Sequence, residues 1–281
     1  MVGTRISEEI EKLSRLKRYA VGDTIQAEGE NSDIVGQVVS GILKLSKTLP
    51  DGRQHIVDLC NVGDFFGELG EDTNPFSIES ATAVTLCCVN RKAFLELVER
   101  HREFEHILLG KTIDDLARAR NRLLLFGCHT TMERMATYLL LQLFTHRAAP
   151  PPDRSQPREN IAACPISRRD LASYLGTSVE TISRNIQMLS RQGILRIIDS
   201  AHFEVLDQRR LLARSGYSEL DLLAVTRRQR AGEERTPPAR YPAGYRDAVA
   251  AQPRAPAPTV RLAPANTAML EPRPVARAAP K

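Results

Sequence analysis

The stretch TSVETISRNIQML, residues 177–189, decides the fold. Its apolar residues Ile182, Ile186 and Leu189 recur at i, i+4 and i+7, which places them on one face of a helix. The opposite face carries Glu180, Ser183, Arg184 and Gln187, again at helical spacing and with no lysine among them. A face that is merely solvated usually mixes Lys and Glu. This one combines a carboxylate, a hydroxyl, a guanidinium and an amide, all groups that make directional hydrogen bonds. A plainer alternative is an Arg184–Glu180 pair at i, i+4, which would stabilise the helix by about 0.3–0.5 kcal/mol.

The neighbouring residues choose between these readings. Upstream, Ser167 stands as an N-cap with Asp170 three residues on, and Ile166 and Leu171 are placed as a hydrophobic staple. SRRDLASYLG is therefore one short helix, ended at Gly176. Ser178 caps the second helix, which runs from Val179 to about Gln192 and stops at Gly193. Two short helices joined by a Gly-containing turn form a helix-turn-helix. ILRIID, SAH and FEVLD follow and read as a β-hairpin wing, with a last helical turn or two in DQRRLLARSG. The second helix of such a unit lies in the DNA major groove with its N-terminal turns at the base edges. Arg184 then donates to guanine O6 and N7, Glu180 accepts from a cytosine amine, Ser183 bonds or restricts a base edge, and Val179 meets a thymine methyl. Ser178, Arg168, Arg169 and Gln187 are candidates for backbone phosphates, which position the protein without reading sequence.

Working outward, residues 20–90 read as β. Runs such as GQVVSGILKLSKTL, HIVDLC and ATAVTLCCV alternate with Gly and Asp turns, as in a small sandwich or barrel-like roll. A short helix, SEEIEKLSRL, precedes them, and RKAFLELVERH follows as another. A longer helix is expected over about 103–126. There Leu109, Ile113, Leu116, Ala119 or Arg120, Leu123 and Phe126 recur at spacings of three and four, a coiled-coil-like stripe suited to a dimer. Arg120 blurs its register. Thr130 and Glu133 form a capping box that opens MERMATYLLLQLF. Residues 146–160 form a long Pro- and Arg-rich loop. These signals predict an α+β chain in four parts: a β-roll domain at 1–102, a dimerisation helix at 103–128, a winged helix-turn-helix at 129–215, and a mostly disordered extension at 216–281.

The 281 residues, 42% hydrophobic, suffice for two ordinary domains. The longest apolar run, MATYLLLQLF, is too short to span a membrane, and MVGTRISEEIEKL lacks the apolar core of a secretory signal, so a cytoplasmic protein is expected. Net charge is +5, but residues 236–281 hold seven basic and two acidic residues and so carry the whole excess. The basic balance is thus no argument for DNA binding by the folded part. The five cysteines include no CxxC, and Cys60, Cys87, Cys88 and Cys128 read as small buried hydrophobes. Cys164 lies three residues before Ser167 and after an Arg-rich loop. An electropositive setting would favour its thiolate and oxidation, which makes it a redox candidate that would weaken DNA binding. No Ser/His/Asp set, Gly-rich phosphate loop or metal cluster emerges, so neither an enzyme nor a metal site is expected.

On DFFGELG (64–70), the long central helix followed by TTMERMATYLL, and SRRDLASYLGTSVETISRNIQMLSRQGIL, the chain resembles the CRP/FNR family of bacterial transcription regulators over about residues 20–215. The resemblance implies a homodimer with an N-terminal cyclic-nucleotide-binding-like roll, a dimerisation helix and a C-terminal winged helix-turn-helix. It also implies binding to a palindrome in double-stranded DNA and contact with RNA polymerase. The spacing Glu180-x-x-Ser183-Arg184 looks like the FNR/FixK branch, whose site is of the form TTGA(T/C)-N4-(A/G)TCAA and which activates low-oxygen and nitrogen-fixation genes. In the cAMP branch the phosphate is met by Arg-Ser. Here Gly67-Glu68-Leu69 is kept, but Phe76-Ser77 stands at the Arg-Ser place, and residues 113–126 contain no Ser or Thr for the base. Without the guanidinium a phosphate loses a charge-assisted contact, which argues against cAMP. No cysteine precedes Cys60, which argues against an FNR-type iron–sulfur cluster. The expectation is a regulator without a cofactor; the alternative is one gated by an unrecognised ligand in the roll.

Overall fold

The computed structural model describes residues 4–145 and 160–218. The long loop expected over 146–160 and the extension expected after 216 lie almost wholly outside the described residues.

Helix α1 (Thr4–Leu13) leads into eight strands: β1 (Arg15–Tyr19), β2 (Thr24–Gln26), β3 (Ile34–Ser40), β4 (Leu43–Thr48), β5 (Gln54–Cys60), β6 (Phe65–Phe66), β7 (Ser77–Ser80) and β8 (Val84–Asn90). They form two four-stranded antiparallel sheets, ordered β1-β8-β3-β6 and β2-β7-β4-β5. This is the expected roll. One boundary is corrected: SEEIEKLSRL is not helical throughout, because α1 ends at Leu13 and Arg15–Tyr19 pairs with β8. The charged sequence RLKRY hides this strand, whose pairing supplies backbone hydrogen bonds along an exposed edge.

Strand alternation explains the roll's interior. Val38, Leu43, Cys60, Phe66, Ile78, Val84, Leu86 and Cys88 pack into one core. Cys87, the next residue along β8, faces the other way, as adjacent residues of a strand must. It is nevertheless buried, with Ser14 at the end of α1 hydrogen-bonded to its thiol. Burial pushes the Cys88 thiol up to about 11.

Three helices then leave the roll. Helix α2 (Arg91–Arg100) starts where Asn90 accepts from the amide of Ala93, and Phe94 packs on Val35 and Val89. Helix α3 (Arg102–Cys128) is the long helix expected from the stripe, one residue earlier at its start. Helix α4 (Thr131–Thr145) opens on the expected capping box: Thr130 N–H donates to Glu133 at 2.6 Å and Glu133 N–H donates to Thr130 Oγ1 at 3.3 Å. Met135, Ala136, Leu139 and Leu140 of α4 are buried in the second core.

That core belongs to β9 (Ile161–Ala163), α5 (Arg168–Tyr174), α6 (Val179–Arg191), β10 (Leu195–Ile197), β11 (His202–Val205) and α7 (Gln208–Ala213). The wing hairpin β10–β11 appears as expected, but β9 pairs with the outer side of β11 and makes a three-stranded sheet. β9 has only three residues, too few for alternation to mark it.

Candidate nucleic-acid interface

The two reading-head helices are positioned by their caps. Ser167 Oγ accepts from Asp170 N–H at 3.0 Å, and Ser178 Oγ accepts from Thr181 N–H at 3.2 Å. Between them Gly176 takes φ +62°, a left-handed turn that side chains rarely adopt. Ile166 and Leu171 are both buried, as a staple requires. Ile182, Ile186 and Leu189 are buried under α6, so the helix has one way to lie. Asn185 shares that buried face, a polar position the apolar spacing did not forecast.

With the inner face anchored, Glu180, Ser183, Arg184 and Gln187 all turn to solvent, and Val179 is exposed beside them at the first turn. The Glu180 carboxyl is held below the usual range by its own backbone N–H and by the Ser178 hydroxyl. It is therefore an acceptor at neutral pH. The first turns of α6 thus offer a fixed carboxylate acceptor, a hydroxyl and a five-donor guanidinium side by side. Arg169 and Ser178 are exposed around this face.

Arg168 is placed differently from the expectation. Its guanidinium stacks on the Phe203 ring, 4.9 Å from the centroid, and Nη2 donates to Ser200 O at 2.9 Å. Its Nη1 is buried. It anchors the wing to α5 instead of standing free for a phosphate. The signal was legible only in part: an Arg at the first helical turn is ordinary, and Phe203 lies 35 positions away in sequence.

Cys164 is also corrected. It is 1% exposed and shares a hydrogen bond with Tyr138, and burial pushes its thiol up, with Arg168 only partly opposing this. The expected electropositive, oxidation-prone thiolate is not what the fold builds, because low-dielectric burial disfavours the charged form.

In the roll, Gly67 has φ +100°, and a Cβ there would meet Ile34 O at 2.7 Å. Glu68 is a turn residue: its carboxylate accepts from Gly70 N–H at 2.8 Å, and its carbonyl accepts from Arg91 Nε at 3.0 Å. The Phe76 ring is covered by Lys47, whose Nζ lies 5.7 Å from its centroid and pairs with Glu28 at 2.7 Å. Lys47 was not singled out in the sequence. Among the described residues no group of three or more His, Cys, Asp or Glu is placed to hold a metal ion, and no helix is long and apolar enough to cross a membrane.

Stripe residues Leu109, Ile113, Leu116 and Leu123 of α3 are 54%, 58%, 49% and 71% exposed. The opposite side of α3 faces the roll through ions. Asp64, buried, receives Arg118 at 2.9 Å and Lys111 at 3.3 Å. Despite its desolvation, these charges hold the Asp64 carboxyl below its ordinary value. Sequence reasoning missed this set, since the partners lie about fifty positions apart.

A capped helix-turn-helix with an open polar reading face, joined to a β-roll through a long helix, defines a DNA-binding regulator. Residues 16–101 match the cyclic nucleotide-binding domain family, and residues 133–214 match the Crp-like helix-turn-helix domain family. The chain is 34% identical over 213 residues to the transcriptional activator protein FnrL of Cereibacter sphaeroides, covering 75% of this chain and 85% of that protein. It is 31% identical over 193 residues to the nitrogen fixation regulation protein FixK of Bradyrhizobium diazoefficiens, covering 68% and 78%. The solved structure of FixK2 from Bradyrhizobium japonicum superposes with a TM-score of 0.65 at 28% identity, covering 73% of this chain and 98% of that one. The chain belongs to the CRP/FNR family of transcription regulators, in its FixK-like branch.

Proposed function

We propose that the protein is a cytoplasmic, homodimeric transcription activator that binds a TTGAT-N4-ATCAA-like palindrome. In this reading it recruits RNA polymerase at low-oxygen or nitrogen-fixation-type genes and needs neither cAMP nor an iron–sulfur cluster. The observation that carries it is the outer face of α6, where Glu180, Ser183 and Arg184 stand exposed on a helix whose inner face is locked. Arg184 is assigned to the guanine of each half-site, Glu180 to the opposing cytosine, and Val179 to a thymine methyl. Arg169, Ser178 and Gln187 are assigned to phosphates. Dimerisation is assigned to Leu109, Ile113, Leu116 and Leu123, a long apolar stripe open to water on one helix. Activation is inferred from the relatives named as activators. Phe76 under Lys47, in the place of a phosphate-binding arginine, supports the absence of cAMP.

The test is a gel-shift titration at fixed salt with no added effector, on the palindrome and on a duplex with the G·C pair of each half-site changed to A·T. Tight binding to the first, and a loss of about 1–3 kcal/mol per altered half-site, are expected. Equal binding to both would overturn the assignment.

A second reading is favoured by one observation. Gln26 is buried on β2 beside Ile78, and neither atom of its side-chain amide has a hydrogen-bond partner. A polar ligand in the roll would satisfy it. A melting shift with a small-molecule panel that is lost in Gln26→Leu would support gating by such a ligand.

A further inference from the structure

The helix-turn-helix does not stand clear of the roll. Its first helix, α5, lies against β4 and β5 of the same chain. Lys44 of β4 reaches Asp170 at 3.0 Å and Glu79 of β7 at 3.2 Å, with all three side chains largely buried. Strand β5 is the edge of its sheet. There Ser173 of α5 accepts from Ile56 N–H at 3.0 Å and donates to Gln54 O at 3.2 Å, so α5 covers an edge that would otherwise be open. Ala81, Ile42 and Leu59 of the roll pack on the reading-head core.

Arg122 joins this contact to the long helix. From α3 its guanidinium donates to Val57 O and pairs with Asp58, both on β5. It also lies 5.1 Å from the centroid of the Tyr174 ring on α5. One side chain therefore touches the long helix's neighbour strand and the reading head together. A planar guanidinium suits this place, because its flat face can lie on the ring while donors along its edge bond two acceptors. The docked side of α5 presents Asp170, Ser173 and Tyr174, while the reading residues of α6 remain exposed. Docking thus leaves the reading face free.

A dimer on a palindrome must hold its two reading helices about one DNA turn apart. If α3 is the dimer axis, the angle between α3 and the head sets that separation. We propose that Arg122 is a positioning residue for DNA recognition: with Lys44 it locks the reading head on its own roll in the posture that presents α6, and so sets the half-site spacing the dimer accepts. This rests on the dimer-on-palindrome reading above.

The experiment measures fluorescence anisotropy on wild type, Arg122→Gln and Lys44→Ala, with duplexes carrying spacers of N4, N3 and N6. The amide exchange of Ile56 is followed on the same samples without DNA. Both variants are expected to lose about three- to thirtyfold on the N4 duplex, to penalise the wrong spacers less than wild type does, and to exchange the Ile56 amide faster. Unchanged spacing preference, whether affinity is kept or falls evenly on all three duplexes, would overturn the proposal. If wild type itself ignores the palindrome, that reading fails, and the exchange decides the docking: faster exchange in Arg122→Gln upholds the lock, and unchanged exchange overturns it.

Discussion

Helices α6 and α3 both turn a face to water, but the faces are opposites. The exposed residues of α6 include Glu180, Ser183, Arg184 and Gln187; those of α3 include the apolar Leu109, Ile113, Leu116 and Leu123. A polar face with a locked inner side makes directional contacts and is suited to a polar partner such as a base edge. An apolar stripe open to water is unfavourable until another apolar surface covers it. In the proposed function one helix reads and the other associates, and sequence periodicity separates both pairs of faces.

The comparison breaks most sharply at the inner side of α6. Ile182, fully buried, changed to Ala should cost about 2–5 kcal/mol of stability, seen as a lower denaturant midpoint. Ser183→Ala, one residue along on the open face, should leave that midpoint unmoved. On α3, replacing Ile113 and Leu116 together by Asp should leave the fold intact but give a monomer by light scattering, with palindrome affinity down by about a hundredfold. An unchanged dimer would mean that the stripe is not the contact. Arg184→Ala should lose about 1–3 kcal/mol per half-site and flatten the preference for G·C, again without a change in stability. The smallest effect distinguishes the ionic side of α3 from its stripe. The Asp64 carboxyl is held low when folded, so its contribution is present above its ordinary value of 3.8 and is lost as pH falls through the lower folded value. Below about pH 4, wild type should therefore lose more stability than Asp64→Asn, as read by thermal melts across pH.

What could be read from the sequence follows from the range of the interactions. Caps at Ser167, Ser178 and Thr130 act across three residues, so the residue types announce them. The faces of α6 and α3 follow from a period of 3.6, and the roll follows from alternation and turns. The surroundings of Arg168 and Cys164 are not legible locally, because local charge pattern says nothing about what folds over a side chain. The Phe203 ring and the Tyr138 hydroxyl come from elsewhere in the chain.

The amino-acid sequence by itself therefore determined the order of the parts, the helix-turn-helix with its exposed polar face, and the stripe on α3, since each is a property of neighbours along one helix or strand. Only the tertiary structure decided that Lys44 meets Asp170, that Arg122 meets Asp58 and Tyr174, and that Arg118 and Lys111 meet Asp64. Those contacts join residues from 47 to 126 positions apart. Their strength depends on shared burial and orientation, which exist only once the roll, the long helix and the reading head have packed together.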